Sequence, residues 1–240
     1  MLPSTDREME LKEHIAELKT RLSRVLVTFV ICMAVIFPFS GKVIKVVWNY
    51  VFYGKKLEII VYSPTEWIIV QLVFSFAISF LILYPYLVYE LYKFASPGLY
   101  DHEKKFVKTL IPFSYALFLL GVFFSYSVII PKIYSLATVN YFGAEPYLSA
   151  KKTLYNIIKI ALSFGLVFQI PAFISVAVKL RILTSKWLKD KRLIIYIAVL
   201  ILATNITLDI TGLSQLLILA LVVVMYEFSI IIAKIMEKST

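Results

Sequence analysis

The sequence predicts an all-α integral membrane protein of six transmembrane helices, with both ends on the cytoplasmic side. Three observations carry that prediction. Of the 240 residues, 60% are hydrophobic, and the mean hydropathy is +0.85. A soluble domain has roughly 45–50% apolar residues, so a bilayer is the natural solvent for the excess. The apolar residues gather into six runs, at 25–39, 67–91, 106–130, 154–178, 193–206 and 213–233. Lys and Arg collect on one side of these runs, the side expected to face the cytoplasm. No long polar stretch is left to hold a second domain, so residues 1–240 read as one membrane unit.

The elements follow in order. Residues 1–24 are polar, with Asp6, Glu8, Glu10, Glu13 and Glu17 among them. They lack the basic head and apolar stretch of a cleavable signal. The first span, about 22–39, precedes Ser40-Gly41-Lys42. The second, about 66–91, is interrupted by Pro85 and starts at Ser63-Pro64-Thr65-Glu66. There Ser63 reads as the N-cap, Pro64 as the first helical residue and Glu66 as the partner that closes a capping box. Ser96-Pro97-Gly98-Leu99 is a turn. Asp101 is placed to cap the third span, about 105–130, with Glu103 in its first turn, where the helix dipole favours acids. That span ends at Pro131, and Gly143 and Pro146 mark the next loop. The fourth span, about 153–179, contains Pro171, which is expected to kink it. The fifth and sixth are about 191–206 and 212–233.

A helical span needs roughly 20 residues. The first and fifth runs have only 15 and 14. Arg24, Lys191 and Arg192 can lengthen these spans by snorkelling, and local thinning of the bilayer is expected to relieve the remaining mismatch. Charge supports six crossings. With the N-terminus inside, only Lys42, Lys45, Lys55, Lys56, Lys132, Lys151 and Lys152 lie outside, and Lys159 falls within a run. All other bases lie inside. Omitting the first or the fifth span would scatter them.

The chemistry of catalysis is missing. Cys32 is the only cysteine, and His14 and His102 are the only histidines. There is no His-Glu-x-x-His, no Gly-x-Ser-x-Gly and no phosphate-cradling glycine loop. No enzyme activity, metal or cofactor is expected. The net charge of +10 does not indicate nucleic acid, because the bases sit at the ends of apolar runs.

Gln71, Glu90, Asn156, Lys159, Gln169, Asp209 and Glu227 are polar groups within or beside the runs. An ionisable group at a span centre costs about 2.5–3.5 kcal/mol on insertion scales, so such groups face protein or water. Glu90 and Glu227 lie near inner ends and read as interfacial. Lys159 fits either outward snorkelling or a functional role. Gln169, beside Pro171, fits either a bond to a neighbouring helix or a functional groove.

Six segments then carry a resemblance. They are His14-Ile15-Ala16-Glu17-Leu18-Lys19-Thr20-Arg21-Leu22, Ser63-Pro64-Thr65-Glu66, the stretch from Phe94 through Pro97-Gly98-Leu99-Tyr100 to Glu103-Lys104-Lys105, Pro146-Tyr147-Leu148-Ser149, Phe164-Gly165 through Gln169-Ile170-Pro171, and Tyr226-Glu227. In this order and spacing they resemble the motifs of TatC, the polytopic component of the twin-arginine protein translocase. Three positions depart from the family pattern. Gln169 stands where glutamate is usual, Lys19 stands for an arginine, and the turn at Asp209 lacks its proline.

The resemblance implies a concave six-helix bundle in the plasma membrane of a prokaryotic-type cell. It implies recognition of signal peptides that carry two adjacent arginines. It also implies TatA-type and TatB-type single-span partners, self-association, and export of folded proteins driven by the proton motive force. Carried onto this chain, signal-peptide binding falls to Glu17 and Glu103, with Lys19, Arg21, Phe94, Pro97, Leu99 and Tyr100 around them. Gln169, Pro171, Asp209 and Glu66 become candidates for docking partner helices. From the residues alone, the favoured reading is that Glu17 pairs with Arg21 one turn along and Glu103 merely caps its helix; the resemblance turns both toward recognition. The competing function is a small ion-coupled transporter with Asn156, Lys159 and Gln169 along its path. That reading calls for an inverted repeat, and none is detectable.

Overall fold

The computed structural model describes residues 11–53, 60–137, 149–207 and 213–238. Asp209 and the Pro146-Tyr147-Leu148 stretch lie outside them. The described residues are helical, without a strand; one isolated parallel bridge joins Ile60 to Ser149. The helices are α1 (Leu11–Val51), α2 (Pro64–Ala95), α3 (Asp101–Phe124), α4 (Ile130–Ala137), α5 (Ala150–Val167), α6 (Ile170–Lys179), α7 (Ser185–Asp190), α8 (Arg192–Thr207) and α9 (Leu213–Lys238). Five helical stretches are long and apolar enough to cross a membrane: Lys12–Val51, Pro64–Gly98, Asp101–Ser135, Ala150–Lys179 and Gln215–Lys238. α8, with 16 residues, is about 24 Å long at ~1.5 Å per residue, short of the ~30 Å apolar thickness.

The helices overrun the apolar runs. α1 does not end at Ser40-Gly41-Lys42 but continues to Val51. Ser40 is fully buried and its hydroxyl donates to Phe37 O at 2.6 Å, so the polar side chain is satisfied within the helix. Beyond it Ile44, Trp48 and Val51 are buried in the core. The first helix is therefore long rather than short. α2 likewise runs through Pro85 without a break. The third stretch does not stop at Pro131. A π-helical segment, Ser125–Ile129, precedes it, and Ile130 N–H donates back to Ser125 O. The wider turn resets the register so that the helix continues past a residue with no N–H. At Pro171 the expected kink is a real break. α5 stops at Val167 and α6 restarts at Ile170.

α2 is the hub, packing on α1, α3 and α5. The main core joins Ile44, Trp48, Val70, Phe74, Ile130, Leu154, Ile157, Phe164 and Val222. A second cluster, Ile174, Val178, Leu188, Tyr226, Ile230 and Ala233, ties α6, α7 and α9 together. α3 and α5 approach closely at glycines. A Cβ on Gly121 would sit 2.6 Å from Phe164 O, and one on Gly165 would sit 2.7 Å from the Phe118 ring. Small residues permit such contact between membrane helices. The outer surface is strongly apolar, with Val30, Val35, Phe123, Phe173, Leu193 and Leu216 all exposed. Lipid rather than water suits that surface.

Candidate functional site

The N-terminal part of α1 and the C-terminal end of α2 form the first part of the site. One face of α1 carries Glu17 and Arg21 one turn apart. Arg21 Nη2 and Nε donate to Glu17 Oε1 at 2.6 and 2.8 Å. Arg21 Nη1 donates to Glu90 Oε2 on α2 at 2.8 Å. One guanidinium thus bridges two carboxylates, leaving the trio with one net negative charge. Glu17 Oε2 is shielded from solvent and has no partner. The i,i+4 pairing of Glu17 with Arg21 is therefore present, and Arg21 is committed on both sides. Glu90, which the sequence marked only as interfacial, is buried and joins the helices. Its role was not legible because the pairing spans 69 positions.

The turn after α2 forms the second part. Phe94 stacks on His14 with ring centroids 4.2 Å apart, which fixes this end of α2 against α1. Pro97 lies in a 3₁₀ turn, Ser96–Gly98. Leu99 is buried, whereas Tyr100 is exposed with its ring stacked at 5.8 Å on His102. Asp101 is not the cap of α3, because Tyr100 occupies that position and Asp101 begins the helix. Glu103, at the third helical position, accepts from Tyr100 N–H at 2.9 Å and is largely buried. The carboxylate thereby satisfies a backbone donor that the helix start leaves orphaned. Lys19 is exposed and makes no ion pair with the trio.

The third candidate position, Gln169, sits at the α5–α6 break and is only 1% exposed. Tyr84 OH and Ser114 Oγ both donate to its Oε1, at 2.7 and 2.5 Å, and its Nε2 donates to Ser114 O at 3.0 Å. The side chain therefore faces inward and closes the bundle across α2 and α3. It does not present its amide on an outer groove. Hydrogen bonding explains this direction: an amide in hydrocarbon is best satisfied by partners inside the protein. Pro171 is buried at the start of α6, and Ser175 Oγ donates to its carbonyl at 2.6 Å. Leu166 and Phe173 are the large apolar side chains exposed near the break.

At the other end of the molecule Ser63 is the N-cap of α2 and Pro64 its first residue, but the expected reciprocal box is not formed. Glu66 Oε2 instead accepts from Tyr62 N–H at 3.0 Å, and the Ser63 hydroxyl lies 2.6 Å from that of Thr65. With Tyr62, Tyr134, Ser149, Lys152, Thr153 and Asn156, Glu66 lines an open cavity of about 620 Å³. Lys159 lies 4.7 Å over the Tyr155 ring, a cation–π contact that accommodates the base locally. Among the described residues no three His, Cys, Asp or Glu side chains cluster as metal ligands.

Comparison with known proteins places this geometry. The family model described as Sec-independent protein translocase protein (TatC) matches residues 13–221. The chain is 34% identical over 234 residues to the Sec-independent protein translocase protein TatC of Methanocella arvoryzae, covering 97% of both chains. It is 31% identical to TatCy of Bacillus subtilis over 229 residues, covering 95% of this chain and 89% of that one. A crystal structure titled twin arginine translocase receptor TatC superposes with a TM-score of 0.79 at 28% identity, over 92% of this chain and 98% of the other. These matches support the translocase reading over the transporter, and they make the chain a multi-pass cell-membrane protein. The chain belongs to the TatC family of protein translocase components.

Proposed function

We propose that the chain is the signal-peptide receptor and core subunit of a twin-arginine translocase, a single membrane unit of six crossings with both ends inside. The short α8 makes the fifth crossing, with Arg192 at its inner end held 3.0 Å from Glu227. One observation carries the receptor reading. Glu17 sits in a setting built for guanidinium, where carboxylates outnumber the resident Arg21 by two to one. A planar arginine cation matches a carboxylate through two parallel bonds, which an ammonium cannot reproduce. Glu103 supplies the second acid, across a turn whose shape is set by Phe94, Pro97, Leu99 and Tyr100. Lys19 and Arg21 bound the acidic patch and limit where two positive charges can settle.

The partners are single-span proteins of the TatA and TatB type and the signal peptides of folded cargo, with self-association in the bilayer. Because Gln169 is occupied internally, the docking wall is the exposed apolar face of α6, α8 and α9 around Phe173, Leu193 and Leu216. Glu66 stands at the opposite end of the bundle, the outer one in this topology, and Asp209 remains a candidate of the same kind. Translocation draws on the proton motive force.

The test is fluorescence anisotropy of a labelled twin-arginine peptide with the full chain in detergent, against its Lys-Lys version. The Glu17→Gln/Glu103→Gln protein is expected to bind at least about tenfold more weakly, since a charge-assisted bond is worth about 1.5–3 kcal/mol. Equal binding by that variant, or equal binding of the two peptides, overturns the reading.

A further inference from the structure

The face of α1 next to the acidic trio carries a different chemistry. Ala16, Lys19, Thr20, Ser23, Arg24, Val27 and Thr28, with Tyr86 from α2, line a groove of about 740 Å³. These α1 positions recur at three- and four-residue intervals, so they share one side of the helix. Unlike Arg21, the ammonium of Lys19 and the guanidinium of Arg24 have no ion-pair or hydrogen-bond partner among the described residues. Ser23 stands between them, one turn from Lys19 and adjacent to Arg24. The groove straddles the point where the polar head of α1 gives way to the apolar run that starts at Val25. Above that point it is cationic and hydroxylated; below it are Val27, Thr28 and Tyr86. Val27, Ile31 and Val35, at four-residue intervals, continue an exposed apolar track down the same face of the helix.

We propose that this groove is a binding site for the phosphate of an anionic membrane lipid, whose acyl chains lie along Val27, Ile31 and Val35. The occupant follows from the polarity profile. A lipid phosphodiester joins one negative charge to apolar chains at the membrane boundary, and two unpaired bases with a hydroxyl between them complement it. A twin-arginine peptide is repelled by the same two bases. Free phosphate would match the upper half of the groove but leave the apolar half unused. The bound phosphate also neutralises bases next to the Glu17 carboxylate, so that the acidic patch keeps its sign. Which leaflet supplies the lipid rests on the proposed orientation. The binding test does not, and it uses no signal peptide, so its failure leaves the receptor reading standing.

The experiment is native mass spectrometry of the full chain released from detergent with added phosphatidylglycerol, phosphatidylcholine or inorganic phosphate. The expected result is a retained phosphatidylglycerol adduct, with phosphatidylcholine bound far less and inorganic phosphate unable to displace the lipid. Lys19→Gln/Arg24→Gln is expected to weaken the adduct by about thirtyfold, the product of two bases at a charged membrane surface. Lys108→Gln, which removes an exposed base on α3, is expected to leave it unchanged, and circular dichroism checks that each variant is folded. Equal retention of the two lipids overturns the proposal, as does a folded double variant that keeps its adduct. Loss of the adduct in Lys108→Gln does so too, because the attraction would then be diffuse charge. Displacement by inorganic phosphate at matched concentration makes the site one for the free anion and overturns the lipid assignment.

Discussion

Arg21 of α1 and Glu90 of α2 are joined at 2.8 Å, and the same guanidinium holds Glu17 at 2.6 Å. Through Arg21 this bond fixes the position of Glu17, the proposed recognition carboxylate, relative to the second helix. The arginine that bounds the proposed peptide site is therefore also a structural tie. Removing Glu90 leaves Arg21 with Glu17 alone and cancels the net negative charge of the trio. Glu90→Gln is expected to reduce twin-arginine peptide affinity several-fold while Glu17 itself is intact. It should also lower unfolding stability by about 1–3 kcal/mol, the range for a bond to a charged, mostly buried group. Anisotropy and thermal unfolding in detergent measure the two effects; unchanged affinity would show that Glu17 does not depend on this tie.

Arg21→Lys keeps the charge but loses the fork that serves both carboxylates at once. The expected outcome is an intact fold with a lower melting temperature and a smaller loss than Arg21→Gln. A lysine variant as damaged as the glutamine variant would mean that the fork, not the charge, carries the interaction.

Gln169 links Tyr84 and Ser114 in the interior. Gln169→Leu should cost about 0.6–1.7 kcal/mol, the measured scale for interhelical bonds in membranes. Thermal unfolding in detergent reads this loss, and wild-type stability of Gln169→Leu would contradict the buried network.

Gly121→Ala must push α3 from α5, since its Cβ would meet the backbone oxygen of Phe164 at 2.6 Å. Backbone cannot rotate away as a side chain can. A loss of about 1–3 kcal/mol is expected from such overpacking, read as reduced thermal stability in detergent. Wild-type stability in this variant would mean that the helices are not held this close.

Phe94→Ala removes the stack on His14 at 4.2 Å. The turn after α2 should then hold less firmly to α1, with faster hydrogen exchange at residues 96–100 and weaker peptide binding, while the buried core keeps its protection. Phe94→Tyr retains a ring and should restore both.

The sequence by itself determined the solvent of this protein, the places where its helices lie and the family motifs at their edges. Those properties are local: a run of apolar residues demands hydrocarbon, and Ser63-Pro64 or Ser96-Pro97-Gly98 marks a chain turn wherever it folds. Helix limits were less legible. The apolar run of α1 stops near Ser40, yet the helix proceeds to Val51, because packing of Ile44 and Trp48 in the core outweighs a polar interruption. Pro131 reads as a stop, and only a π turn upstream lets the helix pass it. The tertiary structure alone decided how the polar side chains are used. Arg21 turns to Glu90 across 69 positions and Gln169 to Tyr84 across 85. A buried hydrogen-bonding group takes whichever partner the packed helices bring within about 3 Å, and sequence spacing does not encode that distance.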